Sequence, residues 1–240
     1  MSKVTEESLR QHRVVSRQQW LSERAEFLKK EKAFSRQREQ LAEERRSLPW
    51  AKVEKRYVFD GPAGPETLAD LFGAQRQLLV YHFMFKPEAD AACMHCSFWG
   101  DHYSNPPVHL EHRDTSFVAI SRAPLAKIEA FRRRMGWTFK WVSSGNTDFN
   151  YDYQASFTPA QLQSGTVFYN YAEVPAGPAD REGISVFYKN EAGEVFHTYS
   201  SYARGIDMVN GTYQLLDLTP MGRNEAPGAN MSWLKYHDRY

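Results

Sequence analysis

The chain has 240 residues, of which 42% are hydrophobic and 14% aromatic, so it can bury a full core without disulfide bonds. Its 30 lysine and arginine residues nearly balance its 29 acidic residues, which excludes the strongly basic character of many nucleic-acid-binding proteins and a field that would attract acidic substrates. The start of the sequence has no apolar segment of signal-peptide type and no stretch of 18 apolar residues occurs, so we expect a cytoplasmic protein without a nucleic-acid or membrane partner.

The N-terminal segment has the composition of a long helix or a helix pair. Residues 5–48 are rich in Arg, Lys, Glu, Gln and Ala and contain no Pro or Gly. A stripe of large apolar residues recurs every seven positions, at Trp20, Phe27, Phe34, Leu41 and Leu48. One strong apolar position per heptad is fewer than the two of a coiled coil, so residues 1–48 are expected to form an arm that packs on the globular domain or on a partner subunit. A homodimer through this arm is one form of that expectation.

Beyond Pro49 the periodicity changes to alternating strands and helices, which predicts a domain over residues 49–240. Residues 145–180 are rich in Asn, Asp, Tyr, Gly and Pro and are expected to form an irregular insertion. Alternating elements followed by a terminal hairpin around Asn190–Gly193 are typical of an α/β fold with a mixed central sheet flanked by helices. Strands are predicted at 53–59, 77–85, 115–121, 138–143, 184–189 and 195–200, and helices at 67–72, 97–103 and 123–135.

The only two cysteines, Cys93 and Cys96, follow the apolar strand 77–85 and stand near the start of a predicted helix. A thiol at a helix N-terminus faces unpaired backbone N–H groups and the positive end of the helix dipole, both of which favour the thiolate. The spacing lets Cys96 attack a mixed disulfide that Cys93 has formed. The pair therefore predicts thiol–disulfide chemistry with Cys93 attacking and Cys96 resolving. Peroxide reduction, a non-catalytic binding module, a metal site and two inert buried cysteines stay open as alternatives.

Longer runs of sequence resemble the DUF899 family, a bacterial group of thioredoxin-like fold often labelled dithiol–disulfide isomerases. The resemblance covers most of residues 40–240 and implies a thioredoxin-like domain with Cys93 and Cys96 at its redox position. Thioredoxins carry a cis-proline before the strand that faces the dithiol, whereas this chain has Arg181-Glu182-Gly183-Ile184 there, which argues for a narrower client range. The matching runs include LPWAKVEKRYVFDG (48–61), LLVYHFMF (78–85), CMHCSFWGDH (93–102), DFNYDY (148–153), FTPAQ (157–161) and GRNE (222–225), with two long runs at 121–144 and 185–220.

Four further residues are candidates for tuning the thiols or lining the pocket: His82, His95, Trp99 and Arg122. His82 lies within the apolar strand, where a hydrogen-bonded core histidine is the commoner role. Arg122 follows a buried strand and could hold an anionic substrate group. The proposed chemistry needs no organic cofactor; the expected partners are a protein or small-molecule disulfide or thiol and a cellular reductant.

Overall fold

The computed structural model describes residues 5–226 and 228–240. Residues 1–4 of the predicted arm lie outside this range. The chain separates into two compact units, one formed by Met1–Pro49 with Leu216–Asn230 and the other by Trp50–Leu215 with Met231–Tyr240. Among the described residues, no helix has the length and apolar character needed to cross a membrane.

The described residues form α-helices, short 3-10 helices and ten strands. The α-helices are α1 (Glu6–Arg10), α2 (Arg17–Arg46), α3 (Met94–Gly100), α4 (Pro106–Glu111), α5 (Leu125–Arg134), α6 (Phe149–Asp152), α7 (Pro159–Gln163) and α8 (Gly211–Leu216). The 3-10 helices are Asp70–Phe72, Ala203–Val209 and His237–Arg239. The strands are β1 (Ala51–Lys52), β2 (Val58–Gly61), β3 (Gly64–Thr67), β4 (Gln77–His82), β5 (Thr115–Ser121), β6 (Lys140–Ser143), β7 (Thr166–Tyr169), β8 (Ala172–Pro175), β9 (Gly183–Lys189) and β10 (Val195–Tyr202).

The predicted arm is a pair of helices rather than one continuous helix. Ser16 begins α2 because its side-chain oxygen accepts a hydrogen bond from the backbone N–H of Gln19, at 3.2 Å. The 30 residues of α2 include none that is buried, and Phe34 in the middle of the apolar stripe is 66% exposed. The homodimer expected through this helix stays a prediction.

Eight strands form one mixed sheet in the order β1-β10-β9-β4-β5-β6-β2-β3. The pairs β4–β5 and β5–β6 are parallel, whereas β9 runs antiparallel to both β4 and β10. The four neighbouring strands β10, β9, β4 and β5, with α3 in the β4–β5 connection, have the order and directions of a thioredoxin-like fold. The fold class is therefore confirmed: an α/β protein with a mixed central sheet, flanking helices and a long N-terminal helix.

The side chains of β4 divide between the two faces of the sheet because successive residues of a strand point in opposite directions. Leu78, Val80 and His82 share one face, and the two apolar residues join a core cluster with Phe59, Phe72 and Phe187. Tyr81 lies on the other face, where its ring contacts Phe83 at 5.5 Å between centroids. Helix α3 packs on this second face, since a Cβ atom at Gly100 would lie 3.1 Å from the Phe83 ring.

Two sequence predictions for the first part of the domain are wrong in detail. Most of the range 53–59 is not a strand, because β1 ends at Lys52 and β2 begins at Val58. Between them the chain crosses from the β10 edge of the sheet to the opposite edge, where β2 pairs with β6 and β3. The expected helix 67–72 is shorter, because Gly64–Thr67 is a strand and only Asp70–Phe72 is helical.

The insertion 145–180 is more ordered than its composition indicates. It contains α6, α7 and the β7–β8 hairpin, whose turn residues Asn170 and Tyr171 have φ values of 52° and 64°. Helix α7 begins at a capping box in which Thr158 accepts from the backbone N–H of Gln161. Side chains of the insertion form their own small core with β10, made of Phe157, Val167, Tyr169 and Tyr202.

Candidate functional site

Both cysteines are fixed to the backbone of Met84, two residues beyond the end of β4. The Cys93 N–H donates to the Met84 carbonyl at 2.9 Å, and the Met84 N–H donates to the Cys96 Sγ atom at 3.4 Å. Cys93 is the N-cap residue of α3, and its carbonyl accepts from the N–H and the hydroxyl of Ser97, both at 2.9 Å. The pair therefore lies at the strand-to-helix junction where the sequence placed it.

The two thiols are reduced and differ in accessibility and acidity. Cys93 is partly exposed, whereas Cys96 is 1% exposed. Hydrogen bonding from the Cys96 side chain lowers the pKa of the Cys93 thiol most, and the backbone N–H groups of Cys96 and His95 lower it further against the opposing effect of burial. Burial and the neighbouring Cys93 hold the pKa of the Cys96 thiol well above its usual value. The accessible sulfur is thus the one that ionises first.

Two phenol groups lie beside the buried thiol. The hydroxyl groups of Tyr81 and Tyr103 are buried and have no hydrogen-bond partner among the described residues. Burial raises the pKa of both phenols, and the charge of Cys96 raises it further. The two rings contact each other with centroids 5.1 Å apart, so they form one wall beside Cys96.

The C-terminal residues complete the other side of the dithiol. The Tyr236 hydroxyl donates to the carbonyl of Ala92, directly before Cys93, at 2.7 Å, and His237 Nδ1 lies 2.6 Å from Asp101 Oδ1 at the end of α3. Burial and the charge of Cys93 raise the pKa of Tyr236. Sequence reasoning missed this contact, because no local pattern links residues more than 130 positions apart.

Glu182 is a second residue that the sequence did not single out. It directly precedes β9, whose first residue, Gly183, pairs with His82 at the end of β4. The Glu182 carboxylate disfavours the thiolate at both Cys93 and Cys96, since its charge raises the pKa of each. No cis peptide bond occurs at this position or elsewhere among the described residues. The place expected for a cis-proline thus holds a carboxylate.

His82 points to the opposite face of the sheet from α3. Its Nε2 atom lies 2.8 Å from the Ser185 hydroxyl, and its ring stacks on Phe149 with centroids 5.7 Å apart. A chain of hydrogen bonds continues from the Ser185 hydroxyl to the Ser200 hydroxyl, at 2.7 Å, and from the Ser200 hydroxyl to Nε2 of His197, at 2.7 Å. Burial lowers the pKa of His82 to about 3. The structure therefore places His82 in a buried polar chain instead of beside the thiols.

The other three candidates have different surroundings. The backbone N–H of His95 helps to lower the pKa of the Cys93 thiol. Trp99 is buried, and its Nε1–H donates to the carbonyl of Ile206 at 3.1 Å, which ties α3 to the 3-10 helix Ala203–Val209. Arg122 forms an ion pair with Asp180 at 3.2 Å and lies over the ring of Tyr151. Both residues that contact its guanidinium, Asp180 and Tyr151, belong to the insertion 145–180.

His102, which follows the cysteine pair, is hydrogen-bonded to another part of the chain. His102 Nε2 lies 3.0 Å from the Thr212 hydroxyl and 3.3 Å from the Thr212 backbone N–H. Within residues 5–226 and 228–240, no group of three or more His, Cys, Asp or Glu side chains is arranged to hold a metal ion.

Comparisons with known proteins give a family and a set of distant structural relatives. The model of the family described as "Bacterial protein of unknown function (DUF899)" matches residues 9–240. A comparison with curated proteins finds no match.

Similar solved structures are peroxiredoxins of low sequence identity. A mutant of peroxiredoxin Q from Xanthomonas campestris is 12% identical, with a TM-score of 0.45 over 67% of this chain and 89% of that one. The peroxidoxin BcpB from Mycobacterium tuberculosis is 13% identical, with a TM-score of 0.45 over 70% and 97% of the two chains. A yeast mitochondrial 1-Cys peroxiredoxin is 13% identical, with a TM-score of 0.42 over 72% and 78%.

Proposed function

The chain belongs to the DUF899 family of bacterial proteins, and from its own residues we propose that it is a thiol–disulfide oxidoreductase that works through Cys93 and Cys96. The observation that supports this proposal most is that the surroundings shift the pKa values of the two thiols in opposite directions. Backbone N–H groups and the Cys96 side chain lower the pKa of the accessible Cys93, while burial raises the pKa of Cys96. An attacking thiol needs the first environment, and a resolving thiol that waits for a mixed disulfide tolerates the second.

The cycle begins when the Cys93 thiolate attacks one sulfur of a substrate disulfide. The substrate S–S bond breaks, a Cys93–substrate disulfide forms, and the released thiolate takes a proton from solvent. Cys96 then loses its proton and attacks Cys93 Sγ, which expels the second substrate thiol and leaves a Cys93–Cys96 disulfide. The substrate has gained two electrons and two protons, and the protein pair has lost them.

The oxidised pair needs two electrons from a thiol reductant, either one dithiol or two monothiols, to return to the thiol state. The partners in the proposal are therefore a disulfide substrate, protein or small molecule, and a cellular thiol reductant, with a reducing compartment such as the cytoplasm as the site of action. The chemistry uses sulfur alone and calls for no organic cofactor.

The proposal is tested with reduced protein and the neutral disulfide bis(2-hydroxyethyl) disulfide. We expect mass spectrometry to find a Cys93–Cys96 disulfide in the wild type, a trapped Cys93 adduct in Cys96→Ser and no adduct in Cys93→Ser. Circular dichroism of each variant checks that the fold is intact. Unchanged adduct formation in Cys93→Ser, or no reaction of the folded wild type, contradicts the proposal.

Peroxide reduction is the second candidate, because a stabilised and accessible Cys93 thiolate also suits it. A peroxide would oxidise Cys93 to a sulfenic acid with release of water or an alcohol, and Cys96 would condense with it to give the disulfide and water. Oxidation by hydrogen peroxide much faster than by the neutral disulfide would favour this candidate. A folded protein inert to both would instead favour a binding module.

A further inference from the structure

A carboxylate without an ion-pair partner among the described residues lies near the dithiol. Gly183 pairs with His82, so the preceding Glu182 lies beside the chain just past β4, where Met84 holds both cysteines. The side chain of Glu182 is half-buried. The register thus sets the Glu182 backbone next to the segment that holds both sulfurs, and its charge raises the pKa of Cys93, of Cys96 and of Tyr81.

The cations near Glu182 in the sequence and structure are engaged elsewhere. Arg122 is paired with the buried Asp180. The guanidinium of Arg181 lies over the ring of Tyr169, at 4.5 Å from the centroid. Among the described residues, no ion pair or hydrogen bond engages the Glu182 carboxylate, and only its backbone carbonyl accepts a bond, from the Tyr169 hydroxyl at 3.1 Å.

On the Tyr236 side of Cys93, the charge of Arg134 is balanced by Asp238. Arg134, which lies over the ring of Tyr236, donates two hydrogen bonds to Asp238, at 2.8 and 2.9 Å. The Glu182 carboxylate near Cys93 is therefore free to pair with a cation that a substrate brings. Desolvating a carboxylate is costly unless a cation accompanies it, and a second carboxylate at the same place is repelled.

We propose that Glu182 makes the site selective for disulfides that carry an ammonium or guanidinium group close to the S–S bond, and that it discriminates against disulfides flanked by carboxylates. This inference rests on the proposed function. The exchange step is the same as for a neutral disulfide: the substrate S–S bond breaks, the Cys93–substrate bond forms and the leaving thiolate is protonated from solvent. Glu182 supplies the charge that a cationic substrate pairs with.

The test compares three disulfides of similar size: cystamine (cationic), bis(2-hydroxyethyl) disulfide (neutral) and 3,3'-dithiodipropionate (anionic). The rate constants for oxidation of the full-length protein are measured for wild type, Glu182→Gln and the control Glu191→Gln, which changes an exposed carboxylate in the β9–β10 turn. The ratio of the cystamine rate to the dithiodipropionate rate, compared between proteins, cancels the intrinsic reactivity of the reagents.

We expect this ratio to be at least about tenfold higher in wild type than in Glu182→Gln, the size expected for unit charges that interact at a partly solvated site. Glu191→Gln should keep the wild-type ratio. In the wild type, 0.5 M salt should slow cystamine and speed dithiodipropionate, which tests the inference without any substitution.

The outcomes separate the inference from the function on which it rests. Equal ratios in all three proteins, with normal reaction of the neutral disulfide, overturn the charge selectivity and leave the oxidoreductase in place. No reaction with any disulfide overturns the proposed function. A peptide disulfide flanked by lysines that reacts faster than its alanine-flanked counterpart extends the preference to protein substrates; equal peptide rates restrict it to small aminothiol disulfides.

Discussion

The acidity of Cys93 depends on a neighbour three residues away. Hydrogen bonding from the Cys96 side chain is the largest cause of its lowered pKa. We therefore expect Cys96→Ala to raise the pKa of Cys93 and Cys96→Ser, which keeps a donor, to change it less. The measurement is the pH dependence of alkylation by iodoacetamide. An alkylation midpoint in Cys96→Ala equal to that of the wild type contradicts this assignment.

His82 links protein stability to pH. Its pKa in the folded state is about 3, below the ordinary histidine value of 6.5, so between these values the unfolded chain binds more protons than the folded one. The free energy of unfolding therefore falls as the pH falls through 6.5, by about 2 kcal/mol at pH 5.0 from this residue alone. Urea unfolding at pH 7.5 and 5.0 measures the loss.

The matched variant for this prediction is His82→Gln, whose amide cannot titrate. Its unfolding free energy should change by about 2 kcal/mol less than that of the wild type between the two pH values. An identical loss in both proteins would assign the acid sensitivity to other groups, such as His197, whose pKa burial also lowers.

At the scale of single residues, the sequence predicts the position of the cysteines in the fold but not the residues that surround them. The apolar run before Cys93 and the helix after it suffice to place the dithiol at a strand-to-helix junction. The contacts of Glu182 and Tyr236 depend on the register of β9 and on the path of the C-terminus, which no local spacing specifies. His82 illustrates the same limit, since one step along a strand decides which face of the sheet a side chain occupies.

Among the elements, β9 and β10 meet most tightly at Gly183. A Cβ atom there would lie 2.4 Å from Cδ1 of Tyr202, whose hydroxyl is itself bonded to the carbonyl of Tyr153 at 2.8 Å. The ring therefore cannot move aside without losing that bond. We expect Gly183→Ala to lower the free energy of unfolding by about 1–3 kcal/mol, as overpacking does.

Chemical denaturation measures this effect, with Gly177→Ala as the control. A Cβ atom at Gly177 would meet only the flexible end of the Arg181 side chain, at 3.1 Å. If both variants lose the same free energy of unfolding, the destabilisation comes from replacing a glycine and not from the close approach to Tyr202.

Elements with strong periodicity are the ones that the sequence predicts well. Residues 115–121 form a strand with the expected bounds, because a continuous apolar run suits a strand covered on both faces. The insertion is the counterexample: its short helices and its hairpin are stabilised by a small core that includes Tyr202 from β10, a contact between distant parts of the chain. The broken strand at 53–59 has the same origin, since only the sheet topology shows that the chain must change edges there.

At the scale of the whole molecule, the prediction of a homodimer depends on the exposed apolar stripe of α2. We expect the wild type to be dimeric in light scattering coupled to size-exclusion chromatography and Phe34→Glu to be monomeric at the same concentration. The change should alter the free energy of unfolding of the single chain by only about 0.5 kcal/mol, because Phe34 is 66% exposed. The control Gln37→Glu adds the same charge outside the stripe. A monomeric wild type contradicts the prediction.

The hydrogen bond from Tyr236 to Ala92 has a consequence for the order in which the protein is made. A ribosome adds Tyr236 long after β4, α3 and β5, and domains fold in the course of synthesis. A nascent chain can therefore have β4, α3 and β5 in place while the flank of Cys93 is still open. The contact beside Cys93 forms only after Tyr236 has been added, so the flank of this thiol is more open in the growing polypeptide than in the folded chain.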